Sequence, residues 1–295
     1  MKRLARAVYA GLPLKRQVYG FIRHRLGIVP SFYEHLHFTG PFELALDEAR
    51  SVKLLSRGHI VENDLFWRGF GAGWEGSSLQ LWKRICDNRR GLILDIGANS
   101  GVYALVAAAV APEAHVIAFE PIDRIARQLR ANIGLNRFAV EVEECAVSNR
   151  DGTTAIFDVV EAFNYSASLE GLRGSTPVQV PVCSIDCHLG PDRAEPVIAI
   201  KIDVERHEAV AIAGMRETLA RDHPTILVEI LDSAIGSAVA DEVGDLGYRM
   251  FHIAEGRGLV PAERLEPLGD HDWNHLLCTD EQFDCLGLGE FLSEN

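Results

Sequence analysis

No run of this sequence is long and apolar enough to cross a bilayer. The longest apolar region, Gly101 to Phe119, is broken by Pro112, Glu113 and His115, whereas a spanning helix needs about 20 continuous apolar residues. Met1 to Ala10 contains no long apolar core, so no cleavable secretory signal is expected. Basic residues are in deficit: 29 Lys and Arg stand against 42 Asp and Glu, a formal net charge of −13. That deficit argues against a nucleic-acid partner, whose phosphates are met by clustered Lys and Arg. The six cysteines (86, 145, 183, 187, 278 and 285) include no C-x-x-C pair, which removes the common redox and zinc frameworks. Cys145 and Cys278 fall in apolar runs and read as buried thiols, so a reducing, cytoplasmic setting is expected. Cys183, Cys187 and His188 lie close together, and structural packing is their expected role. There is no internal repeat and no low-complexity tract.

Acid is missing from one place. The first 33 residues hold Lys2, Arg3, Arg6, Lys15, Arg16, Arg23 and Arg25 and no carboxylate. Such a segment fits an anionic membrane surface, or docking on the acidic body of its own chain or of a second copy. Docking is the expected reading, with peripheral membrane contact and a homo-oligomer as the alternatives. The rest is ordinary for a globular protein: 295 residues, 47% hydrophobic and 24% charged, enough for one large domain and an appendage.

The densest information lies in Leu92-Ile93-Leu94-Asp95-Ile96-Gly97-Ala98-Asn99-Ser100-Gly101-Val102. It reads as a buried strand, a tight turn and a helix start. A second apolar run, His115 to Phe119, follows after a helix-length gap and ends on Glu120. Glycines let a ligand approach the backbone, and a carboxylate at the second strand tip accepts ribose hydroxyls. The unit therefore reads as a nucleoside site. A third glycine in dinucleotide register is absent, because positions 103 and 104 are Tyr and Ala. Asp95 would repel a pyrophosphate but pair with an amino group. S-adenosylmethionine, with an ammonium and a sulfonium and no phosphate, suits the loop better than a nicotinamide cofactor, NAD(P), which remains the alternative.

Residues 1–90 read as an irregular, aromatic-rich cap. A glycine-rich loop, Phe70 to Gly76, precedes a helix from Ser77 to Cys86 capped by Ser77 or Ser78. From 91 to 282 strands and helices alternate. Strands are expected over 92–96, 115–120, 140–147, 196–202, 224–231, 248–253 and 275–279, and helices over 101–111, 122–134, 206–220 and 233–246. A half-exposed hairpin of 153–160 and 177–183 is inserted around the polar loop Asn164 to Ser168, and 283–295 forms a tail. Alternation with doubly buried strands means a mostly parallel sheet wrapped by helices.

In such sheets the ligand sits beyond the carboxyl ends of the strands. Asp95, Gly97, Ala98, Asn99, Gly101 and Glu120 are the cofactor candidates. Ala146, in the Glu144–Ser148 turn, would wall an adenine, and Glu75 in the glycine loop is placed on the cofactor side. Trp74, Asn164, Ser166 and Glu229 are the acceptor-side candidates. Lys201, Asp203 and Glu205 alternate along a strand end and so share a face, with His207 at the following helix start; this is the catalytic candidate. Methyl transfer by in-line displacement needs an aligned nucleophile and, for a hydroxyl, a base. Glu205 or His207 would serve as the base, while Lys201 would pair with Asp203. Nothing requires a metal, though a divalent ion between Asp203 and the acids near Glu229 fits oxygen-ligand chemistry.

Taken in order, Asp95 to Gly101, Phe119-Glu120-Pro121, Ala146-Val147-Ser148, Asn164 to Leu169, Lys201 to Glu205, Val228-Glu229-Ile230 and Asn274-His275-Leu276-Leu277 resemble the successive blocks of FkbM-family methyltransferases over roughly residues 60–280. The resemblance implies an α/β, Rossmann-like methyltransferase fold: a mostly parallel, doubly wound sheet with a final antiparallel strand and an N-terminal extension. It implies S-adenosylmethionine as cofactor and methylation of hydroxyls on sugars, glycolipids, polysaccharides or natural products. By the same resemblance Asp95, Gly97, Asn99, Gly101 and Glu120 hold the cofactor, while Asp203 and Glu205 line the reaction centre. One departure stands out: Arg206 and His207 occupy positions where the family usually has glycine and a small residue. A non-catalytic binding protein on the same fold is the third reading, and the intact loop with the retained Asp203 and Glu205 argues against it.

Overall fold

The structure is a computed structural model that describes residues 15–23, 36–159, 167–168, 176–269 and 272–293. The chain divides into two compact units, Met1–Trp74 and Glu75–Asn295. The boundary expected near residue 90 therefore falls earlier, because the helix Gly76–Cys86 packs on the helix Val102–Val110 of the second unit.

The first unit is more regular than its composition suggests. Strands β1 (Gly40–Ala45) and β2 (Ser51–Ser56) form an antiparallel hairpin. Phe42, Leu44, Val52 and Leu54 point to one buried face, the period of two that a half-buried strand requires. Asp47 closes the turn, its Oδ1 accepting from the amides of Ala49 and Arg50 at 3.0 and 2.8 Å. The helix Ile60–Arg68 lays Phe66 against Phe38 and Phe42, with ring centroids 4.5 and 5.6 Å apart. The helix Lys15–Arg23 docks on the same cluster, with Tyr19 5.3 Å from Trp67 and Arg23 donating to the Phe66 carbonyl at 2.8 Å. The clustered aromatics are thus the core of this unit.

The second unit holds strands β3 (Leu92–Ile96), β4 (His115–Phe119), β5 (Val140–Glu143), β6 (Ala146–Val147), β7 (Thr153–Val159), β8 (Ala167–Ser168), β9 (Thr176–Cys183), β10 (Val197–Ile202), β11 (Thr225–Glu229), β12 (Arg249–Ala254), β13 (Gly258–Ala262) and β14 (Asn274–Cys278). The main sheet runs β13-β12-β14-β11-β10-β3-β4-β5. Strands β5, β4, β3, β10 and β11 are parallel, and β14 inserts antiparallel between β11 and β12. This is the strand arrangement of the Rossmann-like methyltransferase fold. Strands β3, β10, β11 and β14 are buried at every position, as strands covered on both faces must be. Chain order reverses between β3 and β10, the kind of switch point beyond whose strand ends open α/β sheets bind their ligands.

Several elements differ from the sequence expectation. The strand expected over 140–147 is broken: Val140–Glu143 stays in the main sheet, while Ala146–Val147 pairs with β9 in a second sheet, β6-β9-β7-β8. The expected hairpin is present as the β7–β9 pair. The helix expected over 206–220 is two, Glu208–Ala213 and Arg216–Asp222. They part at Gly214, where a Cβ would lie 1.9 Å from the Ser148 carbonyl oxygen. The residues expected to be a tail are packed: Phe283 stacks on Phe251 with centroids 5.2 Å apart, and Leu292 bridges to Leu259. Cys145 is not a thiol; it is joined to Cys183, tying the start of β6 to the end of β9 across a Cα separation of 6.2 Å. The argument for a reducing setting loses that support. Cys278 is a free, buried thiol as expected. Among the described residues no helix is long and apolar enough to cross a membrane.

Candidate active site

The turn after β3 is built from left-handed residues: Gly97 at φ 82°, Asn99 at φ 51° and Gly101 at φ 89°. Asn is among the few non-glycine residues that tolerate this region. The glycines serve the protein's own packing. A Cβ on Gly97 would sit 1.8 Å from the Asp203 carbonyl oxygen, and one on Gly101 would sit 2.3 Å from Leu129 Cδ1. They let the loop close onto the end of β10 and onto the helix Asp123–Asn136. The amides of Gly97 and Ala98 both donate to the Phe119 carbonyl, at 3.0 and 2.9 Å, which locks the loop to the end of β4.

Glu120 bridges that loop to the next helix. Its Oε2 accepts from the Asn99 amide at 3.0 Å and its Oε1 from the Ile122 amide at 2.9 Å. A carboxylate has about four lone-pair sites, so acceptor capacity is left on both oxygens. Asp95 lies beside it, 2% exposed, its Oδ2 accepting from the Ala104 amide at 2.8 Å. The contact pins the helix Val102–Val110 to the strand that precedes it.

Lys201 pairs in register with Asp95 across β10 and β3, so their side chains share a face. The ammonium is 1% exposed. It donates to Asn274 Oδ1 at 3.0 Å, lies 3.9 Å from Asp203 Oδ2 and sits 5.1 Å from the centroid of the Tyr103 ring. Asp203 thus shares a face with Lys201, as the alternation predicts. Glu205 does not continue it, because Glu205 and Arg206 take left-handed φ values of 53° and 76° and the strand geometry ends. Glu208 holds this bend, its Oε1 accepting from the amides of Val204 and Arg206 at 3.3 and 3.1 Å. Arg206 pairs with Asp232 at 2.5 Å. His207 Nε2 lies 3.1 Å from Ser148 Oγ, so it reaches the turn that carries Ala146. Ala146 is buried, as a hydrophobic wall requires.

Glu229 ends β11 at 8% exposure, with Asp203 and Lys201 among its charged neighbours. Glu75 precedes the helix Gly76–Cys86 and accepts from the Tyr103 hydroxyl at 2.5 Å. Trp74 closes the first unit, so its acceptor role rests on the sequence. Asn164 and Ser166 lie outside the described residues. Cys183 is in the disulfide, Cys187 is exposed, and His188 meets Phe119 edge-on at 5.3 Å. Among the described residues no group of three or more His, Cys, Asp or Glu is arranged to hold a metal ion.

Acid dominates the electrostatics. Burial pushes the carboxyls of Glu75, Asp95 and Glu120 up to about 7. Glu205 is raised to about 7 by burial, then by Asp203 and Glu208. Burial and then Asp203 raise Glu229. Burial works to lower the Lys201 ammonium, but Asp203, Glu75, Glu229 and Asp95 outweigh it and hold it above its ordinary value. Burial lowers His207. Like charges this close resist joint ionisation. The strand ends therefore gather several carboxyls about the buried Lys201 ammonium, an arrangement suited to a cation and hostile to a phosphate.

Sequence reasoning missed Tyr103, Glu208 and Asn274. Tyr103 stood in the glycine pattern only as a position that is not glycine. Asn274 lies 73 residues from Lys201, and only its place in a family-like block gave any signal.

The Methyltransferase FkbM domain model matches residues 95–250. AMB antimetabolite synthetase AmbE of Pseudomonas aeruginosa is 26% identical over 195 residues, 52% of this chain and 9% of that protein. 31-O-demethyl-FK506 methyltransferase FkbM of Streptomyces tacrolimicus is 29% identical over 183 residues, 50% of this chain and 69% of the relative. 2-O-methyltransferase NoeI of Sinorhizobium fredii is 30% identical over 146 residues, 44% of this chain and 59% of the relative. The chain thus spans a small fraction of AmbE and about three fifths of NoeI.

Proposed function

The chain belongs to the FkbM methyltransferase family, and on that premise we propose that it transfers a methyl group from S-adenosylmethionine to a hydroxyl of a sugar, glycolipid, polysaccharide or natural-product acceptor. The observation that carries this reading is the set of carboxyls around the buried ammonium of Lys201, Asp95, Asp203 and Glu229 at the strand ends with Glu75, and Glu120 beside Asp95 and Asp203. The residues fit the cofactor by charge: a sulfonium and an ammonium are welcome there, and a pyrophosphate is not. Glu120 has acceptor capacity for ribose hydroxyls, the Asn99 loop is closed beneath it, and Ala146 offers an apolar wall.

When bound, S-adenosylmethionine supplies an electrophilic methyl on a sulfonium. The protein supplies alignment and a place for the acceptor's proton. Alignment contributes about 7–11 kcal/mol in favourable cases. Glu205 is the proton acceptor in this reading: a half-buried carboxyl raised to about 7 is matched to base work near neutral pH. His207 is bound to Ser148 and acts by holding the loop. Lys201 is the resident counter-cation that lets neighbouring acids ionise. Two matched relatives carry O-methyl transfer in their names, which supports an oxygen acceptor here.

Isothermal titration with S-adenosylmethionine, and separately with NAD, tests the reading. Binding of the former and none of the latter is expected. No heat with S-adenosylmethionine, or tighter binding of NAD, would overturn it.

A further inference from the structure

The helix Gly76–Cys86 has no cap of its own. Its N-cap residue is Glu75, whose side chain makes no capping bond, and the first turn holds no acid. The cap expected from Ser77 or Ser78 is absent, and both serines are engaged elsewhere. Glu255, in the turn between β12 and β13, reaches this helix from 178 residues away. Its Oε2 accepts from the Ser77 amide at 2.7 Å, and its Oε1 accepts from the Ser78 amide at 3.2 Å and the Ser78 hydroxyl at 2.8 Å. The Gly256 amide returns a bond to Ser77 Oγ at 2.8 Å. Four hydrogen bonds thus fasten the turn to the helix start, where free amides and the helix dipole favour a carboxylate.

Glu75 is the residue immediately before this clasp. It holds a left-handed φ of 47°, a conformation that persists in glutamate only when the surroundings over-determine it. Its carboxyl faces the Tyr103 hydroxyl, Lys201 and Asp203, with Glu255 as the remaining charged neighbour.

We propose that Glu255 is a positioning residue of the cofactor pocket: clasping the start of the helix Gly76–Cys86, it holds Glu75 in place so that the Glu75 carboxyl stays against Tyr103 and Lys201. This rests on the S-adenosylmethionine reading for its functional consequence, but not for its geometry. Without the clasp the Ser77 and Ser78 amides lose their acceptor. The first turn then opens, and Glu75 relaxes out of its left-handed conformation into water.

The test compares Glu255→Ala with Glu255→Gln, which keeps an acceptor oxygen and loses the charge. Carbon-13 NMR of labelled glutamate carboxyls reads the Glu75 midpoint without any ligand. In Glu255→Ala the midpoint falls from about 7 toward the ordinary glutamate value of about 4.3, while in Glu255→Gln it stays close to wild type. Equal shifts in both variants would mean that only charge is felt across space, and no shift in either would mean no coupling; each result overturns the proposal. Titration with S-adenosylmethionine gives the second arm. Glu255→Ala weakens binding about tenfold in the wild-type background and adds nothing in a Glu75→Gln background. A full additional loss there marks a merely structural role and overturns the proposal. If Glu255→Ala does not fold, Ser78→Ala replaces it, with a smaller downward shift expected and no shift overturning the idea. A wild-type protein that binds no S-adenosylmethionine defeats the cofactor reading alone, because the NMR arm still judges the clasp.

Discussion

Glu205 and Lys201 sit four positions apart and do opposite things. Glu205 stands at a left-handed bend, partly open to solvent, with a proton affinity near neutrality. Replacing it with Gln removes a base and keeps the shape, so turnover of a hydroxyl acceptor is expected to fall about 10²–10⁴-fold with little change in stability; steady-state kinetics with matched thermal melts checks this. Lys201 is buried among acids and is the counter-charge they share. Lys201→Met is expected to destabilise the protein by about 3–5 kcal/mol at pH 8. The loss shrinks at pH 6, where the orphaned carboxyls take up protons instead, and urea unfolding at the two pH values measures the difference. Asp95 and Glu120 were legible in the sequence because each ends an apolar run, and a run's end is a strand's end. Glu255 and Asn274 were not, because a polar residue beyond a late strand carries no mark of a partner 178 or 73 residues away.

Elements followed the sequence wherever one force set their pattern. β3, β10 and β11 read directly as apolar runs, since strands covered on both faces leave no polar alternation. The pattern failed where two elements compete for space. Residues 206–220 have helix-forming composition throughout, yet Gly214 must pass the Ser148 carbonyl and the helix breaks there. Gly214→Ala supplies a better helix former and nonetheless is expected to destabilise by about 1–3 kcal/mol through overpacking. Chemical denaturation reports this, and a stabilised variant would show that the break is set by something other than that contact. The β1–β2 hairpin was hidden for a related reason. Its strands alternate for only a few residues each, among aromatics that look irregular until Phe38, Phe42 and Phe66 meet.

Across the whole molecule, buried carboxyls tie stability and ligand affinity to pH in opposite senses. Glu75, Asp95, Glu120 and Glu205 have folded values of about 7, above the roughly 4 of an unfolded chain. Between those limits the folded state binds more protons than the unfolded one, so stability falls as pH rises. The ligand-free protein is therefore expected to melt higher at pH 5.5 than at pH 8, by at least the 3 °C or so that about 1 kcal/mol makes in a domain of this size. A cationic ligand needs the carboxylates ionised, so affinity for S-adenosylmethionine should rise through pH 7 with release of protons. Melting curves, and titrations in buffers of different ionisation enthalpy, test the two halves. A melting temperature that climbs from pH 5.5 to 8 would contradict the first.

By itself the sequence determined the alternation of strands and helices, the glycine-bounded turn after Leu92–Ile96 and the acids that close each strand, because these follow from local periodicity and steric freedom. Only the tertiary structure decided that Gly97 and Gly101 make room for the protein's own atoms, that Cys145 meets Cys183, that Lys201 is held by Asn274 and that Glu255 caps a helix it never adjoins in the chain. Those contacts join segments far apart in sequence, and their energies come from burial and exclusion of water, which exist only once the sheet has brought its strand ends together.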